Sequence, residues 1–190
     1  MLKHILVTGG TSGIGLALCK LLIRDHGCYV YLGSIDQTNG ATALKKILQE
    51  VPDKCNQIEV VQIDVLDDQS CVFAAKTLED KGVKLYALVN NAGIMYAEPD
   101  VVINTNFKGP KRVTDALIGL IDKSEGRIVN ISSGSASMWL RYQDSTTKKL
   151  FTNPDISFED LEAEGGLISE NFSLWPKSQI KWCPNHVSRP

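Results

Sequence analysis

The chain has 190 residues, a mass of 20.9 kDa, 43% hydrophobic residues and a formal net charge of −2, enough for one domain with a sizeable core. A pI near 5.9, with Lys and Arg scattered, gives no basic footprint for nucleic acid and no polybasic run for a membrane surface. No apolar stretch approaches the roughly 20 residues of a spanning helix, so no membrane partner is expected. The N-terminus runs directly into a strand and a turn, unlike a secretory signal.

Strand-like and helix-like patterns alternate in chain order. Leu2 to Val7 reads as a strand, and Thr8-Gly9-Gly10-Thr11-Ser12-Gly13-Ile14-Gly15 follows at once. After Gly15 the spacing becomes helical, with Ile14, Leu18, Leu21 and Leu22 on one face. A second strand runs from Cys28 to Leu32 and a second helix lies near Thr38 to Gln49. Ile58 to Ile63 is a third strand, then Asp64 and a helix from about Asp67 to Lys81. Leu85 to Val89 is a fourth strand ending in Asn90-Asn91-Ala92-Gly93. One long helix, about Val101 to Ile121, leads to a fifth strand, Arg127 to Ile131. Such alternation predicts an α/β fold, a doubly wound parallel sheet with helices on both faces.

After Ser132 the pattern changes to a small, polar and then acidic stretch reaching Trp175. Within it Ser157 can cap a helix with Asp160 three residues on, and Ile156 can staple against Leu161. Gln179 to Pro190 continues no pattern. The five cysteines, Cys19, Cys28, Cys55, Cys71 and Cys183, are odd in number and widely spaced. That usage fits a reducing, cytoplasmic compartment, with Cys19 and Cys71 as small buried apolar groups. Cys183 and His186 have a ligand-like spacing, but two residues do not make a zinc site, and no metal is expected.

The chemistry concentrates in the first turn. A strand, a tight glycine turn and a helix start together offer unpaired N–H groups and a positive dipole end to a diphosphate. The turn opens the first βαβ unit, where a dinucleotide fingerprint belongs, and it lacks the Gly-Lys-Ser/Thr ending of a P-loop. A dinucleotide is the leading ligand, and a plain βα turn the alternative.

Four segments in order, Thr8 to Gly15, Asp64-Val65, Asn90 to Gly93 and Gly126-Arg127-Ile128-Val129-Asn130-Ile131-Ser132-Ser133, resemble the short-chain dehydrogenase/reductase family. The stretch after Ser133, closing on Trp175-Pro176-Lys177-Ser178, resembles its NADPH-dependent carbonyl reductase branch, which carries a helical insertion there. The resemblance implies a Rossmann-like sheet of about five strands with the C-terminal strands missing. It divides the chain into a dinucleotide-binding region 1–133, a helical insertion 134–178 over the active-site face and a divergent tail 179–190, all one domain. It implies a cofactor site of Thr8, Gly9, Gly13, Ile14, Gly15, Ser34, Asp64, Val65, Asn90, Ala92 and Gly93, a small-molecule carbonyl substrate, and a monomer. Ser133 matches the family's catalytic Ser, which polarises the carbonyl, and Asn106 the Asn that organises a water.

Three departures qualify what the resemblance implies. The family's Tyr-x-x-x-Lys is absent: Tyr142 has Thr146 four residues on, and no Tyr follows. A positioned general acid is worth roughly 10²–10⁴-fold, so efficient carbonyl reduction by this chain alone is not expected. The stretch between Gly93 and Asn106 is shorter than is usual in the family. At the end of the second strand Ser34-Ile35-Asp36 stands where the branch has Ala/Ser-Arg. Ser34 leaves room for a 2′-phosphate, Ile35 cannot pair with one, and Asp36 lies in the range of a ribose-binding acid. NADPH is the expected cofactor, with NADH the alternative. The expected reaction is NADPH-dependent reduction of ketones, aldehydes or quinones, impaired here. The alternatives are a non-catalytic dinucleotide-binding protein or a splice product without function.

Overall fold

A computed structural model describes residues 2–163. Five parallel strands form one sheet in the order β3-β2-β1-β4-β5, with β1 His4–Val7, β2 Tyr29–Ser34, β3 Ile58–Gln62, β4 Leu85–Asn90 and β5 Arg127–Asn130. Chain order reverses between β1 and β4, which leaves a crevice at their C-terminal ends. Helices α1 Gly13–Asp25, α2 Gln37–Glu50 and α3 Asp68–Asp80 connect the first four strands. Short caps fix the starts of two of them. The Asp36 carboxylate accepts the Asn39 N–H of α2 and the Asp67 carboxylate that of Gln69 in α3, a type of cap worth about 1 kcal/mol.

Both faces of the sheet are covered, as a parallel sheet requires. Leu6, Leu85 and Leu88 pack with Cys71, Leu78, Val113 and Leu117 in one core. Val7, Val30 and Leu32 pack with Cys19, Ile23, Ala43 and Ile47 in the other. The stripe that α1 buries is Gly15, Cys19 and Ile23, which corrects the predicted face. Ile14 and Leu21 are exposed, while Leu18 and Leu22 are partly buried at the margin. The small Gly15 and Cys19 let the start of the helix approach the strands, and Ile23 fills the core at its far end.

The expected long helix over Val101–Ile121 is also corrected. It is divided into α4 Pro99–Ile103, a π turn Asn104–Lys108, α5 Gly109–Leu117 and a 3₁₀ turn Ile118–Leu120. Pro110 carries no N–H, so the carbonyl of Asn106 loses its donor four residues on. The Gly109 N–H bonds instead to the Asn104 carbonyl, five residues back. A further 3₁₀ turn, Pro52–Gln57, precedes β3 and has no counterpart in the sequence reading.

The chain up to Gly134 forms one compact unit and the part from Ser135 a second. In the second, α7 Ser145–Phe151 is capped by Asp144, whose carboxylate accepts the Thr146 and Thr147 N–H groups and is held below the usual range by them. Trp139, of the helix α6 Gly134–Arg141, meets Phe151 edge-on at 5.4 Å. The Ser157 hydroxyl accepts the Asp160 N–H at 3.0 Å, the cap expected there. Trp175–Ser178, the tail 179–190 and the Cys183–His186 pair lie outside the described residues.

Candidate cofactor-binding site

Thr8, the first residue past β1, ties the two strands that flank the crevice. Its buried Oγ1 accepts the N–H groups of Asn91 and Ala92, each at 3.0 Å, and its own N–H donates to Val89 O at 3.0 Å. The Asn91 amide returns the favour, donating to Thr8 O at 2.9 Å and Gly9 O at 3.3 Å. Gly9 sits at φ 63°, and a Cβ there would lie 2.9 Å from Ala92 Cα. Only glycine permits both the dihedral and the approach. A Cβ on Gly15 would overlap Gly9 O and the Asn91 amide, so α1 begins hard against this turn.

The crevice above encloses about 700 Å³, within the roughly 300–1,000 Å³ typical of ligand pockets. Its floor is the turn Gly9 to Ile14, and its walls are the ends of β2, β3 and β4. Ser12 caps α1 without a side-chain hydrogen bond, so the first-turn N–H groups of α1 face no competing side-chain cap and can take an anion. A Cβ on Gly13 would meet nothing within 4 Å, which leaves this side of the turn open. A diphosphate fits here on those two grounds.

Among the residues expected at the cofactor, Gly9, Gly13, Ile14, Ser34, Asp64, Val65, Ala92 and Gly93 line this crevice. Thr8 and Gly15 are buried next to it. Asn90 stands apart: it is 3% exposed, and its amide donates to Thr114 Oγ1 at 3.1 Å and Asn130 Oδ1 at 2.8 Å. Its neighbour Asn91 lines the crevice instead. Asp64 Oδ1 accepts the Leu66 N–H at 2.9 Å, and the Val65 carbonyl accepts from Arg112 at 2.6 Å. Burial pushes the thiol of Cys71, which donates to Asp64 O, up to about 11, so it is no nucleophile at neutral pH.

Ser34 Oγ donates to Asp36 O at 2.6 Å. The Asp36 carboxylate takes both the N–H and the side-chain amide of Asn39. Asn106, on the π turn, clasps the backbone of Ile94: its Oδ1 accepts the N–H at 2.9 Å and its Nδ2 donates to the carbonyl at 2.7 Å. Ser133 lies three residues beyond β5. Neither Asn106 nor Ser133 lines the crevice. The crevice is also lined by Thr11, Ser12, Ile35, Ile63, Leu66, Asn91, Ile94, Val101 and Thr105, none of which the sequence assigned to the cofactor. Position just past a strand end was the available signal for Asn91 and Ile35; Val101 and Thr105 carried none.

The family model described as "short chain dehydrogenase" matches residues 3–144. The chain belongs to this family. Human carbonyl reductase [NADPH] 1 is 34% identical over 165 residues, covering 82% of this chain and 58% of that protein. Among solved structures of the short chain dehydrogenase fold, menthone neomenthol reductase from Mentha piperita superposes with TM-score 0.81 at 26% identity, over 91% of this chain and 75% of that one. The NADPH-bound carbonyl reductase from chicken fatty liver superposes with TM-score 0.63 at 27% identity, over 74% and 61%. The chain spans only part of the length of the curated relatives it matches, 74% of one and 32% of another.

Proposed function

We propose that the chain binds NADPH in the β1–β4 crevice and is the cofactor-binding part of a carbonyl reductase acting on ketones, aldehydes or quinones. The observation that supports this reading is the convergence of three separate motifs, Gly9 to Ile14, Asp64-Val65 and Ala92-Gly93, on one crevice at the sheet's switch point. The first turn of α1 would hold the diphosphate, Asp64 and Val65 the adenine side, and Ala92 and Gly93 the run towards the nicotinamide. The bound nicotinamide would supply a hydride. Ser133 is proposed to polarise the carbonyl and Asn106 to organise a water, through its place beside Gly93 and Ile94. NADPH is preferred to NADH because Ser34, which leaves room for a 2′-phosphate, lines the crevice and Asp36 does not. The protein is proposed to be cytoplasmic and, at low concentration, monomeric.

A second reading, non-catalytic dinucleotide binding, is favoured by one fact: no Tyr in the 190 residues has a Lys four positions on. Titration with NADPH and NADH, read by nucleotide fluorescence and thermal protection, tests the shared part. The expected result is saturable binding with NADPH the tighter; no response to either overturns both readings. Turnover with quinones and aldehydes separates them. NADPH oxidation lost in Ser133→Ala supports the reductase, and binding without oxidation supports the second reading.

A further inference from the structure

We infer that Arg112 is a positioning residue for the dinucleotide, holding the adenine-side wall of the crevice from behind without touching the ligand. The inference rests on the NADPH reading above and adds the device that fixes this wall. Two separate pieces of chain supply the lining there. The loop after β3 contributes Ile63 to Leu66, and the helical segment before α5 contributes Val101 and Thr105. Arg112 itself does not line the crevice, so it is no direct ligand of a phosphate.

One guanidinium joins these pieces. Its Nη1 donates to Val65 O at 2.6 Å, its Nη2 to Asn104 Oδ1 at 3.2 Å, and its Nε to the Asp68 carboxylate. The Arg112 side chain is 18% exposed, and bonds made largely out of water are stronger than those on the surface. Val65 and Thr105 are buried, so a shift of either would disturb packed atoms as well as the crevice lining. A planar fork with donors in several directions suits this geometry. A Lys ammonium, a point charge on a flexible stem, does not reproduce it.

The aim of Arg112 depends on the π turn. At about 100° per residue, eight residues of unbroken α-helix would rotate Arg112 about 80° away from Asn104. The π turn Asn104–Lys108 takes up one extra residue, and the remaining seven bring Arg112 back to within about 20°. Asn104 and Arg112 therefore share one side of the helix. Gly109, which ends the turn, brings the helix backbone onto the same wall. A Cβ there would lie 3.2 Å from Val65 Cγ2 and 3.4 Å from Val65 O. Val65 is thus held twice, by contact with Gly109 and by the hydrogen bond from Arg112. A wall fixed before the ligand arrives lowers the ordering cost of binding.

The test uses the full chain and calorimetry with two probes, NADPH and adenosine 2′,5′-bisphosphate, which carries the adenine end and no nicotinamide. Arg112→Lys should weaken both by about tenfold, the equivalent of one lost charge-assisted hydrogen bond. The fluorescence maximum of NADPH at saturation, which reports the nicotinamide end, should be unchanged. Gly109→Ala leaves Arg112 in place and presses on Val65, and it should weaken both probes in the same way. A purely structural role would lower the urea midpoint of Arg112→Lys and leave both affinities as they were. Unchanged affinities in Arg112→Lys overturn the inference, as does weaker NADPH binding with the bisphosphate unaffected. If Arg112→Lys does not fold, the same two outcomes in Gly109→Ala decide. Failure of the unsubstituted chain to bind either probe overturns the NADPH reading itself, and this inference with it.

Discussion

Thr8 concentrates the most structural consequence in one side chain. Its hydroxyl is the acceptor for two backbone N–H groups at the floor of the crevice, and the residue is 1% exposed. Thr8→Val keeps the shape and removes the acceptor, leaving buried donors unpaired at about 1–3 kcal/mol. Urea unfolding should show a loss of about 2 kcal/mol, together with weaker NADPH binding, and Thr8→Ser should restore both. His4 provides a test by pH. Burial lowers its proton affinity in the folded chain, so the unfolded chain binds a proton that the folded chain refuses. The neutral-His contribution is therefore complete above a pH of about 6.5 and is lost as pH falls through the lower folded value. The carboxylates held low, Asp25, Asp122 and Asp144, titrate well below that window. Urea midpoints measured downward from about pH 7.5 should fall just below 6.5, and His4→Gln should flatten that part of the curve.

At the scale of elements, legibility followed local periodicity. The βα alternation through β4 could be read because each strand is a short apolar run and each helix carries its own cap or glycine punctuation. Asp67 before α3 is an example, and so is the Ser157–Asp160 pair. The π turn could not be read, because Val101 to Ile121 keeps helical spacing across it and a single proline decides the break. Arg112 then locks the result, bonding Val65 O at 2.6 Å and Asn104 Oδ1 at 3.2 Å and pairing with Asp68. Pro110→Ala returns an N–H to the segment and lets Asn106 rejoin an ordinary α-helical register. Far-UV circular dichroism should show a small gain in helix. NADPH titration should show weaker binding, because the Asn106 clasp on Ile94 would shift. Unchanged affinity would mean that the clasp does not support the crevice.

Across the whole molecule, the dinucleotide crevice was legible because its walls are strand ends, each announced by a contiguous motif. The register shift between β1 and β4, where Tyr86 is the extra residue, was not, since no local pattern records it. The same contrast applies to β5. Its sequence reads as a core strand, yet among the described residues it is the sheet's edge, with Ile128, Val129 and Ile131 respectively 37%, 40% and 45% exposed. An apolar edge with free backbone groups is a template for pairing with another chain. Light scattering against concentration should therefore reveal self-association, and Val129→Lys should reduce it by placing a charge on that edge. The substitution is separated from the crevice by β4, so NADPH affinity should be unchanged. Self-association that persists in Val129→Lys would place the contact on another surface, whereas its loss together with NADPH binding would indicate that the substitution had unfolded the sheet.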